Sequence, residues 1–400
     1  MRKPVVRKML EAFIKKMEKN NMRKPVVKKM LEEFGPIETF NKARETAKGY
    51  VYGLRAQGKI SFSNPVEGEN PSIHIVRRTR PEVWEDTFMA LVGIGREIHT
   101  HYDLGFGKKE FESFPSLDAT VMMHIEEPFS EPLFHMHFLT GQFGDYRAEM
   151  EGIKDHWVLD PGVIVDMLKK GKFKEIKGHT GWLYSYSQRI RNYPYIDIEG
   201  NPQVINQLQS VINNFVADPL SRSAQVITWD PRWDHNDGQM KYKDEDGNEQ
   251  KAIFDDYHAP CLQRIHFRLF PFEGGYKLNP NTHWRSRCHP KAAPHNIDGM
   301  LEGLLELQRK DLENALKKPV VMGRYIDISD SLHVYGHYLD PRMQGLDAEA
   351  YLEDIFRIAS GEPIEKRLIL PGTPIHEMTL ETIELEYKAR KSDPDHGRNL

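Results

Sequence analysis

The segment APCLQRIHFRLF, residues 259–270, decides the fold expected for this chain. Apolar and polar side chains alternate from Ile265 through Phe267 to Leu269, as in a strand that buries one face. Cys261 comes directly before this strand and directly after a proline, where a thiol can face a cleft. A lone cysteine is more often a small buried side chain than a nucleophile. The surrounding sequence therefore has to decide between these two interpretations.

Strand and helix patterns alternate around this segment. Apolar runs at 119–125, 224–229 and 325–328 predict strands, while 205–215 and 297–316 have the pattern of helices. The polar stretch 234–256 is rich in Asp, Gly and Lys and predicts an exposed hairpin or loop. This alternation favours an α/β (α+β) fold in which a mixed sheet is flanked by helices.

The N-terminus contains a duplication. MRKPVVRKMLEAF at 1–13 recurs as MRKPVVKKMLEEF at 22–34, and apolar residues spaced four apart predict amphipathic helices. A partner-binding helix and a solvated surface extension both fit this pattern. We therefore expect a helical extension over 1–38, a main domain over 39–375 and a charged tail over 376–400.

Composition excludes several classes of protein. The chain has 400 residues, 39% of them hydrophobic, and 55 basic against 59 acidic residues give a formal net charge of -4. This balance does not provide the basic field of a general nucleic-acid binder. Apolar residues are dispersed, with no run near the ~20 needed to cross a bilayer, so we expect a cytoplasmic protein that interacts with neither membrane nor nucleic acid. Two cysteines cannot form a disulfide framework.

Several ordered motifs accompany Cys261, and their residue types suit a nucleotide. Arginine and serine bind phosphate, asparagine reads an amide edge, and histidine and tyrosine can bind sugar hydroxyls. The residues are Arg222 before the strand that ends in Trp229, Arg285 and Ser286, Asn296, and His333 with Tyr335.

Over residues 184–338 these motifs resemble the thymidylate synthase and deoxycytidylate hydroxymethylase family. The resemblance implies that Cys261 attacks C6 of dUMP, so that 5,10-methylenetetrahydrofolate, or a related tetrahydropterin, can deliver one carbon to C5. It implies a homodimer in which Arg222 crosses the interface to the phosphate held by Arg285 and Ser286. The other implied roles are: Asn296 at the base, Gln263 at the substrate, His333 and Tyr335 at the 3′-hydroxyl, Tyr186 and Glu149 in catalysis, and Trp157 and Cys288 at the folate.

Departures from the family pattern leave alternatives open. Cys288 stands where the family has an acidic residue that contacts the pterin, so a hydroxymethylase that adds water in place of hydride is a second candidate. A non-catalytic nucleotide-binding homologue is a third, although Cys261 argues against it. No metal site is expected. A cluster of Cys288, His289, His283 and His295 lacks the usual ligand spacing, and the pairs His135/His137 and His99/His101 are interpreted as core or surface histidines.

Overall fold

The computed structural model describes residues 26–392 except 64–65, 101–112, 138–142, 154, 156–157, 159–169, 171–183, 197, 199–201, 235–238, 244–245, 254–258 and 344–347. The first copy of the duplicated segment and Trp157 lie outside the described residues. No helix in the described part of the chain is long and apolar enough to span a membrane.

Helices and strands alternate through the described residues. The α-helices are α1 (Val26–Ala56), α2 (Arg80–Ile94), α3 (Phe143–Glu151), α4 (Tyr186–Arg191), α5 (Gln207–Ala217), α6 (Pro231–Asp234), α7 (Ala292–Asp298), α8 (Glu306–Leu316), α9 (Ala348–Ala359) and α10 (Pro374–Ser392). A π-helical segment (Gly299–Leu305) joins α7 to α8, and short 3-10 turns occupy Gly336–Tyr338 and Ile364–Lys366. The strands are β1 (Ile60–Phe62), β2 (Ser72–Arg77), β3 (Arg96–Ile98), β4 (Ser116–Ile125), β5 (Phe134–His135), β6 (Tyr193–Ile196), β7 (Pro202–Ile205), β8 (Gln225–Ile227), β9 (Gln239–Lys243), β10 (Glu249–Ile253), β11 (Leu262–Phe272), β12 (Gly275–Cys288), β13 (Val320–Met322), β14 (Tyr325–Val334) and β15 (Leu368–Ile369).

The first of two compact units comprises Met1–Gln142, Arg285–Ile297 and Arg324–Leu385. Its strands follow the order β1-β2-β4-β14, and β3 also pairs with β4. The β2/β4 pair is parallel and the other pairs are antiparallel, so the sheet is mixed. Helix α2 packs on β4 and against α1. It begins at a capping box in which the Thr79 backbone N–H donates to the Glu82 carboxylate at 2.8 Å.

The second unit comprises Phe143–Trp284, Asp298–Gly323 and Glu386–Leu400. Strand β11 pairs antiparallel with both β8 and β12, and β13 runs parallel to β12. Helix α3 packs on the π-helical segment, and α5 packs on α8. Ile265, Phe267 and Leu269 are fully buried on one face of β11, as the alternation in the sequence predicts.

These elements confirm the fold class, because mixed sheets are covered by helices. The predicted strands at 119–125, 224–229 and 325–328 are confirmed, although β14 continues to Val334. The predicted helix at 205–215 begins at Gln207, because the Asn206 side chain caps it by accepting from the Gln209 N–H at 3.1 Å. The polar stretch forms the β9/β10 hairpin.

Helix α3 lies unusually close to the π-helical segment because two glycines face it. A Cβ on Gly303 would lie 2.6 Å from the backbone oxygen of Arg147, and one on Gly299 would lie 2.7 Å from the Tyr146 ring. Arg147 also donates two hydrogen bonds, of 2.7 and 2.8 Å, to the buried Asp298 carboxylate. The position of α3, which carries Tyr146 and Glu149, is therefore fixed by close packing and by a charge-assisted bond.

We expect Gly303→Ala to lower the free energy of unfolding by about 1–3 kcal/mol, because its Cβ meets backbone that cannot rotate away. Gly53→Ala in α1 is the matched control, since nothing lies within 4 Å of its Cβ. That control should be neutral, or stabilising by up to about 1 kcal/mol through helix propensity. Chemical denaturation measures both effects, and equal midpoints for the two variants would contradict the packing argument.

Candidate active site

Cys261 is half-buried at the entrance to β11. The pairing of β11 with β12 shifts register between Leu262 and Arg264, which is the mark of a bulge. The side chain of Gln263 donates from its amide to the Pro260 carbonyl at 2.8 Å, so this residue holds the turn on which the cysteine sits. A bulge re-aims neighbouring side chains, and here it lies directly beside the thiol.

Tyr186 lies close to Cys261. It opens α4, whose N-cap Ser185 accepts from the Gln188 N–H at 2.9 Å. Burial is the main cause that raises the pKa of Tyr186 well above its ordinary value, and the charges of Tyr146 and Cys261 act in the same direction. A hydrogen bond with the backbone of Leu262 acts in the opposite direction. The phenol is therefore neutral near pH 7 and can donate a hydrogen bond.

Three further residues complete what we call the thiol cluster, defined as Tyr146, Glu149, Tyr184, Tyr186 and Cys261. Burial raises the pKa of Tyr184, with Tyr186 and Cys261 adding to the effect. Glu149 is half-buried on α3 and its charge contributes to the raised pKa of Tyr186. The second unit therefore brings together the predicted residues Cys261, Tyr186 and Glu149. Tyr146 was missed, although it precedes Glu149 by one helical turn and shares its face.

The first unit holds the residues predicted for phosphate, base and sugar. Arg285 and Ser286 are half-buried at the end of β12, and Asn296 is buried in α7. His333 is buried near the end of β14, and its ring centroid lies 4.5 Å from that of Tyr335. These five residues lie near the ends of strands, directly after a strand or in a short helix. Binding residues are often found at such positions.

An ion pair that sequence reasoning missed lies among them. Arg287 donates to both oxygens of the Asp327 carboxylate, one of them at 3.2 Å, and to the Ser329 hydroxyl at 3.2 Å. The Tyr325 hydroxyl donates to the same carboxylate at 3.0 Å. The two charged side chains are almost completely buried. Arg287 therefore has a structural role, whereas the neighbouring Arg285 is half-buried.

The residues predicted for the folate receive little support. Burial raises the pKa of the Cys288 thiol to about 11, so this side chain is neutral near pH 7 and cannot replace a carboxylate as a charged group. Tyr338 contacts the same thiol. Trp157 lies outside the described residues. The contacts of Cys288 and Trp157 with the folate therefore remain predictions.

The histidines near Cys288 contact backbone carbonyls. His289 Nε2 donates to the Trp84 carbonyl at 3.0 Å, and His295 Nδ1 donates to the Lys291 carbonyl at 2.6 Å. One nitrogen of each ring is thus engaged with the backbone. Within the described residues, this group does not bring three ligand atoms close enough together to share one metal ion.

Arg222 is exposed on the turn between α5 and β8. His266 on β11 donates from Nε2 to the Arg222 carbonyl at 3.1 Å, which ties the turn to the sheet. The hydroxyls of Ser221 and Ser223 lie 2.9 Å apart on the same turn. The backbone of the turn is therefore braced while the guanidinium faces the surface.

Likenesses to known proteins are found among solved structures. No protein-family model matches the chain, and no curated protein matches its sequence. Among solved structures, thermostable thymidylate synthase A from Bacillus subtilis is similar over 69% of this chain and 84% of that chain, with 16% identity and a TM-score of 0.42. Similarity at this level says nothing about the activity of this chain.

Proposed function

We propose that this protein is a thymidylate-synthase-like enzyme that transfers a one-carbon unit to C5 of dUMP through a covalent bond between Cys261 and C6. The thiol cluster carries the proposal, because a half-buried thiol beside two neutral phenols and a carboxylate is equipped for nucleophilic addition and proton transfer. The proposed donor, 5,10-methylenetetrahydrofolate, would supply the methylene carbon and then a hydride.

The proposed reaction begins with addition of the Cys261 thiolate to C6. The electron pair of the C5–C6 double bond then moves toward C4 and O4, which makes C5 nucleophilic. After C5 has bonded to the new carbon, a base would remove the C5 proton and the bond from that carbon to the donor nitrogen would break, with its electron pair leaving on the donor. Addition of hydride to the exocyclic carbon, or of water in the alternative enzyme, with elimination of the thiolate would then restore the C5–C6 double bond. Glu149 and the Tyr186 phenol are proposed to relay these protons, since the phenol interacts electrostatically with both the thiol and Glu149.

The nucleotide contacts are proposed from residue chemistry. Arg285 and Ser286 would hold the 5′-phosphate through charge-assisted hydrogen bonds, and His333 and Tyr335 would hold the 3′-hydroxyl. Asn296 would pair with N3–H and O4 of uracil and stabilise charge that develops on O4. Gln263 is proposed as a further substrate contact, although its amide nitrogen already holds the Pro260 carbonyl.

A hydroxymethylase is the second candidate function. The neutral Cys288 thiol supports it, because this position differs from that of a thymidylate synthase. Both enzymes would use the same nucleophile but would finish differently, with hydride in one and water in the other. Mass spectrometry of the product from dUMP and methylenetetrahydrofolate separates them, because the hydroxymethyl product is heavier by one oxygen. Absence of any product would favour the non-catalytic homologue.

We expect Cys261→Ser to abolish turnover and retain nucleotide binding, because a hydroxyl is a far weaker nucleophile than a thiolate near pH 7. Calorimetric titration with dUMP should give a Kd within about threefold of wild type, since phosphate and sugar contacts are untouched. Trapping the wild-type enzyme with a C5-substituted dUMP should add the nucleotide mass to the peptide that contains Cys261. Turnover by the serine variant would exclude the covalent mechanism.

Base selection is expected to depend on Asn296. Its amide can accept from N3–H and donate to O4 of uracil, whereas cytosine presents the reverse pattern. A buried mismatch costs about 1–3 kcal/mol, so dUMP should be preferred over dCMP by roughly tenfold to a few hundredfold. Asn296→Asp should narrow or reverse the ratio of kcat/KM, and Asn213→Asp on the exposed side of α5 should leave it unchanged. An unchanged ratio in the first variant would remove Asn296 from the base site.

A homodimer is proposed because the solvent-facing side of the β8–β11 pair in the second unit exposes apolar side chains alongside Arg264, His266 and Arg268. Ile227, Phe270 and Phe272 are 38%, 44% and 36% exposed, respectively, on the side opposite the buried residues of β11. The turn that carries Arg222 is bonded to this sheet through His266. Exposed apolar side chains on one side of a sheet suit self-association about a twofold axis.

Subunit complementation tests whether Arg222 acts in the partner's site. Arg222→Ala and Cys261→Ser should each be inactive as pure dimers. After subunit exchange, a mixed dimer has one site with both defects and one native site, so activity should recover to about a quarter of wild type. If the mixture stays inactive while native mass spectrometry shows mixed dimers, Arg222 does not cross the interface.

A further inference from the structure

Four ionisable side chains lie together in the first unit, and none of them is proposed to bind the nucleotide. We call them the His–carboxylate cluster: Glu85 on α2, His135 on β5, His137 on the turn that follows, and Asp354 on α9. His135 Nε2 lies 3.2 Å from Glu85 Oε1, and His137 Nδ1 directly contacts Asp354 Oδ2. One ligand atom each from His135, His137 and Asp354 lie within 4.8 Å of one another.

This spacing suits a single metal ion. Ligand atoms that each lie about 2.0–2.2 Å from a zinc ion are separated from one another by at most about twice that distance. Small side-chain rotations therefore bring the three atoms into one coordination sphere. Two imidazoles with a carboxylate form a donor set that first-row divalent metals accept, and Glu85 is close enough to His135 to provide a fourth ligand.

The charges around the cluster leave room for a cation. The outer oxygens of the two carboxylates face arginines, because Arg367 contacts Glu85 Oε2 and Arg357 lies 3.4 Å from Asp354 Oδ1. Arg357 also pairs with Glu362 at 2.5 Å. Three carboxylates thus share two guanidinium groups, and one negative charge remains if both imidazoles are neutral. A cation bound at the inner oxygens, which face the histidines, would balance this negative charge.

The arrangement of the outer groups matches a metal centre. Metal-binding side chains are commonly held by partners behind them, and here the arginines orient both carboxylates. Aromatic rings enclose the cluster, with Trp84 4.6 Å from His135 and Tyr351 4.6 Å from His137 between ring centroids. The side chains of Glu85, His135 and Asp354 are at most 7% exposed. Exclusion of water strengthens every electrostatic interaction within such a cluster.

We propose that His135, His137 and Asp354 bind one Zn²⁺ ion, or a similar divalent transition metal, with Glu85 completing a closed four-ligand centre. All four ligands come from the protein, so the centre is structural and joins α2, β5 and α9. His135 Nδ1 accepts a hydrogen bond from the His137 N–H at 3.1 Å, which identifies a neutral ring. Binding through Nε2 moves the ring proton to Nδ1 and gives up this bond, a loss smaller than the gain from coordination.

The interpretation of His135 and His137 as core histidines explains their burial but not the carboxylates that meet them. The sequence signal was the His-x-His spacing, which places both rings on one side of an extended segment. Glu85 and Asp354 are remote in the sequence, so only the fold identifies them as partners.

Metal titration of the full-length chain tests the proposal. After dialysis against a chelator, Co²⁺ should bind with one tight equivalent per chain and give the visible absorption of a four-coordinate site, and Zn²⁺ should displace it. Zn²⁺ should also raise the thermal midpoint of unfolding, because an ion that binds only the folded state stabilises it. Asp354→Asn and His137→Gln should each weaken Co²⁺ binding by about a hundredfold. Glu349→Gln, an exposed change on the same helix, should retain wild-type affinity.

Two results would overturn the proposal. One is a wild-type chain that shows no tight equivalent of Co²⁺, and the other is equal affinity in Asp354→Asn and Glu349→Gln. If the ligand variants do not fold, imidazole NMR of the wild-type chain decides instead. Addition of Zn²⁺ should then shift the ring signals of His135 and His137, and shifts confined to other histidines would show adventitious surface binding only.

Discussion

The buried ion pair between Arg287 and Asp327 is the interaction on which the binding residues of the first unit depend. It joins the end of β12 to β14, and the Ser329 and Tyr325 hydroxyls add hydrogen bonds to the two charged groups. Removal of one partner would leave an uncompensated buried charge, which typically costs about 3–5 kcal/mol. Arg285 and Ser286 precede this pair on β12, and His333 follows it on β14. The pair therefore holds the two strands whose ends carry the proposed phosphate and sugar ligands.

Both cysteines are half-buried, but the groups around their thiols differ. Cys288 is surrounded by Tyr338, Lys291 and apolar groups, and desolvation raises the pKa of its thiol to about 11. Cys261 stands at a strand entrance beside phenols that burial keeps neutral. A neutral phenol can donate to a developing anion without repelling it, whereas a phenolate would oppose thiolate formation. Desolvation thus raises the pKa of the Cys288 thiol and also the pKa values of the phenols beside Cys261.

The sequence predicted those features that depend on local pattern. Alternation in 259–270 and the apolar run at 119–125 predicted β11 and β4. The family resemblance pointed to Cys261, Tyr186 and Glu149, which the fold brings together. Strand β12 was missed because Asn279, Pro280 and Asn281 interrupt any apolar alternation along it. The pairs Arg287–Asp327 and His137–Asp354 were missed for another reason. Ion pairs between distant segments leave no local signal, and an Arg or His looks the same in sequence whether its partner is a carboxylate, a ligand or water.

The bulge after Cys261 explains why this cysteine does not lie on the buried face of β11. In a regular strand, residues 261 and 265 would share one face, and Cys261 would lie beside the fully buried Ile265. Leu262 and Ile265 are instead both fully buried, although they are three residues apart, which a period of two does not allow. The register shift between Leu262 and Arg264 accounts for this, since one extra residue changes the phase of every side chain before it. Cys261 thereby leaves the core face and is only half-buried, while the opposite face of the same strand presents Phe270 to solvent. This one local irregularity thus accounts for the exposure of the thiol.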